Sequence, residues 1–175
     1  MDGNGRWGLK KKNSRNFGHK QGLQTVEAIL KTTIEKEIPY LTLFSFSTEN
    51  WKRPKGEIRF LLNLIREYFN KHLDKIIKQG VKIKIIGQIN KFPKDVKTIL
   101  NKVQNKTKQN KKINLILALN YGSRDEILHA IRNMVKKKSR INHNNLETQL
   151  YTSNIPDPDI LIRTGGKKRL SNFLL

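Results

Sequence analysis

The apolar residues of this chain follow two patterns, helical spacing and short continuous runs. Apolar residues recur at three- and four-residue intervals from residue 15 to about residue 36, which predicts a helix there. Residues 57–79 predict a second helix, whose apolar arc is so wide that it must bury more than one side or present one side to a ligand. Further helices are predicted at 92–108, which is rich in lysine, from 123 to about 136, and around Leu150.

Four short runs predict strands. Residues 41–46 and 113–119 are almost continuously apolar, which is typical of strands buried in a parallel sheet. Residues 81–85 alternate between apolar residues and lysine, which predicts a strand near an edge with one wet face. Residues 159–162 predict a last strand that ends in the basic turn 163–166. Since strands and helices alternate without a repeat or linker, we predict a single α/β domain over residues 1–175 with a mainly parallel sheet.

The densest set of chemically useful residues is the first stretch of the chain. Gly3 and Gly5 can adopt positive φ and leave backbone N–H groups uncovered, so a turn here can wrap an anion such as phosphate. Arg6 can hold a phosphate through its guanidinium fork, whereas Asp2 suits a divalent cation that bridges to the phosphate. This pattern favours metal-assisted handling of a diphosphate, although the same glycine spacing also occurs in turns that bind nothing.

A second set of polar residues is predicted to meet this stretch. Arg15 and His19 lie one turn apart at the start of the first long helix, and a helix N-terminus suits an anion. The loop 47–54 follows a buried strand, and ligands of open α/β sheets bind at the carboxyl edge. Three alternatives stay open: His19 as a solvated surface imidazole, Trp51 as a packing anchor and Arg53 as a surface charge.

Two common nucleotide-binding signatures do not match the glycine pattern. A Rossmann fingerprint needs Gly-x-Gly-x-x-Gly between a strand and a helix, with an acidic residue about twenty positions on, and the first stretch has a different spacing. A Walker loop is also excluded, because no Gly-Lys-Ser/Thr follows. The predicted α/β fold is therefore not of the Rossmann type.

Composition narrows the class of protein. The chain has 175 residues, no cysteine and a formal net charge of +22. Its lysines are spread through every segment and no RNA-binding signature appears, so we expect no nucleic-acid partner but a weak attraction to anionic lipid. Because no apolar run is long enough to span a bilayer and no signal-peptide pattern is present, we expect a cytoplasmic protein, peripheral to the inner face of the membrane.

Separated blocks of the chain resemble, in order and approximate spacing, the motifs of the cis-prenyltransferases, and in particular of bacterial undecaprenyl diphosphate synthases. The blocks are MDGNGRW at 1–7, FGHK at 17–20, FSTENWKRP at 46–54, IRTGG at 162–166 and RLSNFLL at 169–175. Several blocks in one order are far more specific than any block alone. The resemblance covers almost the whole chain.

This resemblance implies a transferase that condenses isopentenyl diphosphate with an allylic diphosphate such as farnesyl diphosphate. The implied product is a cis-polyprenyl diphosphate, a lipid carrier for cell-wall synthesis, made by a homodimer with Mg²⁺ held by Asp2. The wide apolar face of helix 57–79 is implied to line a tunnel for the growing chain. The paired Asp-rich motifs of trans-prenyltransferases do not occur. A non-catalytic, phosphate-binding partner subunit of the same family is an alternative, and a basic nucleic-acid-binding module is a weaker one.

The resemblance also implies which residues form the site. Asp2 and Asn50 are implied to be catalytic; the family's Asn is proposed to assist proton removal, but an amide is a poor base, so we expect Asn50 to orient substrate or metal-bound water. The residues implied to bind the allylic diphosphate are Gly3, Asn4, Gly5, Arg6, Arg15 and His19, with Trp7 as a further substrate contact. The residues implied to contact both substrates are Ser47, Thr48, Glu49, Trp51 and Arg53. Those implied for isopentenyl diphosphate are Arg163, Arg169 and Ser171, with Leu170 as a further contact.

Finally, the resemblance implies segments beyond both ends of this sequence. The family has an apolar strand before the position of Met1, and after the position of Leu175 a segment with a second metal-binding Glu and part of the dimer interface. A missing central strand removes core area from a fold whose total stability is only about 5 to 15 kcal/mol. We therefore expect a chain truncated at both ends that, expressed alone, folds poorly and has little transferase activity.

Overall fold

Three parallel strands form the centre of the fold in a computed structural model that describes residues 2–174; Met1 and Leu175, at the ends of two predicted motifs, lie outside the described residues. The strands are β1 (Tyr40–Ser47), β2 (Val81–Ile86) and β3 (Ile113–Tyr121). The helices are α1 (Asn4–Lys12), α2 (Arg15–Glu35), α3 (Lys55–Lys78), α4 (Lys94–Thr107), α5 (Ser123–Lys136) and α6 (His143–Glu147). Two short 3-10 helices, Thr48–Lys52 and Ile89–Lys91, follow β1 and β2.

β3 lies between β1 and β2, and both neighbours run parallel to it. It is apolar on both faces and almost fully buried, as expected for the centre of a parallel sheet. β2 alternates buried Val81 and Ile83 with partly exposed lysines and lies at an edge of the described sheet. The predicted α/β fold with a parallel sheet flanked by helices is therefore confirmed.

The two faces of the sheet are covered by different parts of the chain. On one face, Leu30 of α2, Phe69 of α3 and Leu100 of α4 are buried in one cluster with residues of the strands. On the other face, a smaller cluster is built on Ile86, Ile116, Ala118 and Tyr121, and the residues packed against it are Phe44, Tyr151, Ile155, Phe173 and Leu174. Most of these covering residues come from the last part of the chain, so packing on the sheet holds that part in place.

α3 buries more than one side, as its wide apolar arc predicts. It contacts α2, α4 and β2. Leu62, Phe69 and Ile76 are buried within these contacts, and Tyr68 and Leu73 pack against the same cluster. The tunnel along this helix stays a prediction.

The first stretch is a helix and not the predicted turn with two left-handed glycines. α1 begins at Asn4, so Gly5 is helical, and of the two glycines only Gly3 has a positive φ, at 97°. The long helix therefore does not follow the first turn directly. It begins after Ser14, whose Oγ accepts a hydrogen bond from the Phe17 N–H at 3.3 Å. Of these two glycines, Gly3 starts α1, and Gly5 faces the side chains of Arg15 and His19 on α2.

Two predictions near the end of the chain are wrong. Residues 159–162 do not pair with any strand in the described part of the chain, and Ile160 and Ile162 are 77% and 82% exposed. A short apolar run becomes a strand only where another strand can supply hydrogen-bond partners. The predicted helix around Leu150 is α6, which begins earlier because Asn142 Oδ1 caps it by accepting from the Asn145 N–H at 2.9 Å.

Glycines let α1 pack on α2 at very short range. A Cβ atom on Gly18 would lie 1.9 Å from the backbone oxygen of Asn4, and one on Gly22 would lie 2.1 Å from Asn4 Nδ2. A Cβ on Gly8 would lie 2.5 Å from the backbone nitrogen of Gly18. No side chain fits at these distances, so the contact requires glycine on both helices. It fixes the first turn of α1 against α2.

We expect Gly18→Ala to push α1 away from α2 and to lower the free energy of unfolding by about 1 to 3 kcal/mol, as overpacking does. Gly56→Ala is the matched control, because no atom lies within 4 Å of a Cβ there. Alanine in a helix is favoured over glycine by about 0.5 to 1 kcal/mol, so the control should be neutral or stabilising. Thermal melts measure both variants, and a Gly18→Ala protein as stable as wild type would contradict this packing.

Candidate active site

The carboxylate of Asp2 joins the first and last segments of the described chain. Its Oδ2 accepts hydrogen bonds from Arg163 Nε at 3.1 Å and Nη2 at 3.0 Å, and its Oδ1 accepts one from Arg6 Nη2 at 3.2 Å. The Thr164 hydroxyl donates to the Asp2 carbonyl at 2.9 Å. A Cβ on Gly165 would lie 2.0 Å from Asp2 Oδ2, so only glycine fits there. The basic turn 163–166 is therefore closely packed on Asp2.

The two arginines keep Asp2 ionised. Burial alone would raise the pKa of the Asp2 carboxyl, but the hydrogen bonds from Arg163 and Arg6 outweigh burial and hold that pKa below its ordinary value. The Asp2 side chain is 34% exposed, so a ligand can reach it. An ionised, accessible carboxylate is the type of ligand that a hard divalent cation prefers.

The first turn of α1 lies beside this carboxylate and next to two cationic side chains. Gly3 caps the helix without a side-chain hydrogen bond, which leaves the partial positive charge of the helix start available to an anion. A Cβ on Gly5 would lie 3.1 Å from Arg15 Nη1 and 3.5 Å from His19 Nε2. Arg15 and His19 therefore lie against this turn, although they belong to α2.

A buried carboxylate that the motifs did not single out, Glu57, lies among three of the predicted site residues. Its Oε1 is 3.0 Å from His19 Nε2 and 2.9 Å from Arg53 Nη1, and its Oε2 is 4.0 Å from Arg15 Nε. Its side chain is only 7% exposed, so burial alone would raise its pKa. The hydrogen bond from His19 and the charges of Arg53 and Arg15 outweigh burial and hold that pKa below its ordinary value. The signal in the sequence was the four-residue spacing of Arg53 and Glu57 at the start of a helix.

The 3-10 helix after β1 is held by its own side chains and by the core. Asn50 Oδ1 accepts a hydrogen bond from the Ser47 N–H at 3.1 Å. Trp51 packs against Phe46, with ring centres 5.1 Å apart, and its Nε1 donates to Asn120 Oδ1 at 2.8 Å. Trp51 therefore packs against the core, and its contact with substrate stays a prediction.

The last segment forms a polar cluster next to Asp2. Arg163 Nη1 donates to Ser171 Oγ at 2.8 Å and to the Arg169 carbonyl, and Arg169 Nε donates to Ser171 Oγ at 3.1 Å. Asn172 Nδ2 donates to Glu49 Oε1 at 3.0 Å, which joins this segment to the 3-10 helix after β1. The structure therefore brings together residues from both ends of the chain and from its first βα loop.

Three predicted site residues also make contacts outside the polar clusters, and a fourth, Leu170, is largely exposed. Asn4 faces α2 and supports the packing of the two helices. Trp7 stacks on an aromatic ring of α2, with ring centres 5.7 Å apart, and is 45% exposed, while Leu170 is 46% exposed. Thr48, in the 3-10 helix after β1, lies close to the residue before α5, since a Cβ on Gly122 would lie 2.9 Å from Thr48 Oγ1. Spacing along the sequence did not distinguish these residues from the others.

Comparisons with known proteins agree with this arrangement of motifs. A family model described as putative undecaprenyl diphosphate synthase matches residues 1–175. This chain belongs to the cis-prenyltransferase family. Isoprenyl transferase from Clostridium tetani is 46% identical to it over 182 residues, which cover 100% of this chain and 71% of that protein. The (2E,6E)-farnesyl-diphosphate-specific ditrans,polycis-undecaprenyl-diphosphate synthase of Micrococcus luteus is 42% identical, with 100% of this chain and 73% of that protein covered.

Solved structures of the family share this fold. A probable undecaprenyl diphosphate synthase from Campylobacter jejuni superposes with a TM-score of 0.80 at 38% identity, over 88% of this chain and 73% of the other. Lavandulyl diphosphate synthase from Lavandula x intermedia, in complex with dimethylallyl diphosphate, superposes with a TM-score of 0.92 at 27% identity. The superposition covers 100% of this chain and 79% of the lavender enzyme. The family and the enzyme class, cis-prenyltransferase, inferred from the sequence are therefore confirmed.

We expect Glu57→Gln to lower the free energy of unfolding by about 1.5 to 3 kcal/mol near neutral pH, because it removes the charge from the hydrogen bonds with His19 and Arg53. The pKa of Glu57 is depressed in the folded state, so its stabilisation is present above the unfolded-state pKa and is lost as pH falls through the folded-state pKa. The melting temperatures of wild type and variant should therefore differ most near neutral pH and approach each other as the pH falls below the ordinary range of a Glu carboxyl, about pH 4.

The control for this measurement is Glu35→Gln. Glu35 forms an exposed pair with Lys31 at 3.7 Å, and such pairs contribute little. The melting temperature of the Glu35→Gln variant should therefore equal that of wild type at every pH. A Glu57→Gln deficit that does not change with pH would show that the charge of Glu57 is not what stabilises this cluster.

Proposed function

We propose that this cis-prenyltransferase condenses isopentenyl diphosphate with an allylic diphosphate such as farnesyl diphosphate. The product is a cis-polyprenyl diphosphate that serves as a lipid carrier in cell-wall synthesis. The Micrococcus luteus relative is named as farnesyl-diphosphate specific, and the lavender enzyme was solved with dimethylallyl diphosphate, which supports these substrate classes. The observation that carries the proposal is that two separate clusters of anion-binding groups adjoin the first turn of α1.

In this proposal each cluster binds one diphosphate. The allylic diphosphate lies at the start of α1, where its contacts are Gly3, Asn4, Gly5, Arg6, Arg15 and His19, with Trp7 beside its prenyl group. The diphosphate of isopentenyl diphosphate lies on Arg163, Arg169 and Ser171, with Leu170 beside it. Residues of the loop after β1 contact both substrates, and they are Ser47, Thr48, Glu49, Trp51 and Arg53. The close approach of Arg15 and His19 to Gly5, and of Arg163 to Asp2, supports this division.

The reaction requires stabilisation of the leaving group. The allylic C–O bond breaks and its electron pair leaves with diphosphate, while the double bond of isopentenyl diphosphate forms the new C–C bond and a proton is then lost. Negative charge grows on the leaving diphosphate, where fixed donors are most effective. The N–H groups of the first turn of α1, with Arg15 and His19, supply such donors. Asn50 orients the substrates, since an amide is a poor base and its Oδ1 already accepts from the Ser47 N–H.

Asp2 fits the role of a Mg²⁺ ligand by its donor chemistry. Mg²⁺ usually takes one or two protein carboxylates and completes its shell with water and substrate phosphate oxygens. Asp2 is ionised and adjoins the proposed phosphate site. No group of three or more His, Asp or Glu side chains that could hold a metal occurs among residues 2–174. When bound, Mg²⁺ supplies Lewis-acid stabilisation of the leaving diphosphate.

We also propose a cytoplasmic homodimer that works at the inner face of the membrane. On α5, the side chain of Leu128 is 50% exposed and that of Val135 is 65% exposed. Exposed apolar residues on one helix surface suit a contact between subunits. The net charge of +22 favours contact with anionic lipid, where the long prenyl product also belongs. Within the part of the chain that the structure describes, no helix has the length and apolar character to cross a bilayer.

Asp2→Ala should reduce turnover by several factors of ten while leaving allylic diphosphate binding largely intact, and each factor of ten corresponds to about 1.4 kcal/mol of transition-state stabilisation. Magnesium-dependent incorporation of radiolabelled isopentenyl diphosphate measures turnover, and equilibrium binding measures the allylic ligand. Asp74→Ala, at an exposed position of α3, is the control. Near-normal turnover in Asp2→Ala would remove Asp2 from the mechanism, and a wild-type chain that melts cooperatively but incorporates no isopentenyl diphosphate would remove the proposed reaction.

Arg163→Ala should raise the KM for isopentenyl diphosphate more than that for the allylic substrate, and Arg15→Ala should do the reverse. A charge-assisted contact contributes about 1.5 to 3 kcal/mol, so shifts of about ten- to a hundredfold are expected. Steady-state kinetics with each substrate varied in turn measures both constants. Arg59→Ala, exposed on α3, should change neither. If each site variant affects both substrates equally, the two binding sites are assigned wrongly.

A further inference from the structure

Asn172 links three segments of the active site through one side chain. Its Oδ1 accepts hydrogen bonds from the Ser123 hydroxyl and the Arg124 N–H, both at 2.9 Å, at the start of α5. Its Nδ2 donates to Glu49 Oε1 at 3.0 Å in the 3-10 helix after β1. Its backbone carbonyl also accepts from the Ser123 N–H at 3.0 Å. The amide therefore uses both its oxygen and its nitrogen, each toward a different segment.

These contacts matter because the segment that carries Asn172 has little regular structure. Residues 163–172 form neither a helix nor a strand, and Ser171 and Asn172 have left-handed φ values of 52° and 62°. The next residue, Phe173, stacks on Phe44 with ring centres 4.5 Å apart. The segment is thus held at its start by Arg163 on Asp2 and at its end by Asn172 and Phe173.

Glu49 is the charged partner of Asn172. Burial alone would raise the pKa of Glu49, but the hydrogen bonds from Asn172 and Ser47 outweigh burial and hold that pKa below its ordinary value. Glu49 is therefore ionised near neutral pH. A hydrogen bond from an amide N–H to an ionised carboxylate is shorter and stronger than one between neutral groups. It can fix the distance between the two segments.

We propose that Asn172 is a positioning residue, which holds Ser171 and Arg169 at the correct distance from Glu49 to receive isopentenyl diphosphate. This inference rests on the proposed function, in which Ser171 and Arg169 bind that diphosphate. Asn172 acts through its neighbours and not by contact with the substrate. Positioning requires the amide oxygen for the start of α5 and the amide nitrogen for Glu49.

The competing explanation is that Asn172 only caps α5. Aspartate caps a helix about as well as asparagine, so Asn172→Asp keeps the oxygen that accepts from Ser123 and Arg124. The same change removes the donor to Glu49 and places a second carboxylate against it. A capping role therefore predicts an unchanged enzyme, whereas a positioning role predicts a specific loss.

Steady-state kinetics of the full chain tests the proposal. In Asn172→Asp, the KM for isopentenyl diphosphate should rise about tenfold or more, while the KM for the allylic diphosphate stays within about twofold of wild type. The melting temperature should stay near that of wild type. The matched control is Asn142→Asp, because Asn142 Oδ1 also caps a helix, through the Asn145 N–H at 2.9 Å at the start of α6. This control should change neither KM.

A double variant provides the rescue. In the double variant Asn172→Asp with Glu49→Gln, the side chain at position 49 carries the amide donor and the one at position 172 carries the carboxylate acceptor. The hydrogen bond between the two positions can therefore form again, with donor and acceptor exchanged. The KM for isopentenyl diphosphate should then return toward that of Glu49→Gln alone. Glu49→Gln by itself is the reference for this comparison, because Glu49 is also a proposed substrate contact and its replacement changes the KM in its own right.

Four outcomes overturn the inference. They are a wild-type KM for isopentenyl diphosphate in Asn172→Asp, an equal rise in both KM values, a double variant no better than Asn172→Asp, and a fall in melting temperature that the double variant does not reverse. A wild-type chain that melts cooperatively but incorporates no isopentenyl diphosphate overturns the proposed function and this inference together. That result is distinct from an active wild type with an unaffected Asn172→Asp variant.

Discussion

The ion pair between Asp2 and Arg163 is the contact on which the active site depends. It joins residues that lie 161 positions apart, and the segment that carries Arg163 has no strand or helix to hold it in place. Charge-assisted hydrogen bonds of this kind are about twice as strong as neutral ones. Through Arg163, the same pair also orients Ser171. The proposed site for isopentenyl diphosphate therefore depends on this pair for its position next to the first turn of α1.

The parallel sheet determines which loops can reach that contact. β1 and β2 both pair with β3 in parallel, so the carboxyl ends of all three strands lie at one edge. The 3-10 helix with Asn50 follows β1 there, and α5 begins there after β3. Asn120, at the end of β3, holds two of these loops by accepting from Trp51 and donating to the Gln88 carbonyl at 2.6 Å. Ligands of open α/β sheets bind at this edge for the same topological reason.

Carboxylates organise the cationic residues of this strongly basic protein. The site pairs Asp2 with Arg6 and Arg163, and Glu57 with His19 and Arg53, so the donors are held in place before any ligand arrives. Removing a partner of Glu57, which is buried, would leave an uncompensated charge and be strongly destabilising. Fixed donors need little reorganisation when charge develops on a leaving group. The +22 net charge of the whole chain does not by itself produce such a site.

The sequence alone determined the α/β class, the central and edge positions of β3 and β2, and the order of the motifs, because hydrophobic periodicity and motif spacing are local properties. Only the tertiary structure decided that the first stretch is a helix, since this depends on glycines of α2 such as Gly18. It also decided that residues 159–162 are not a strand, because a strand needs a neighbour. Glu57 and Asn172 became recognisable as site residues only through partners distant in sequence. Hydrogen bonds and ion pairs between distant segments have no periodic signature, so no local pattern could have predicted them.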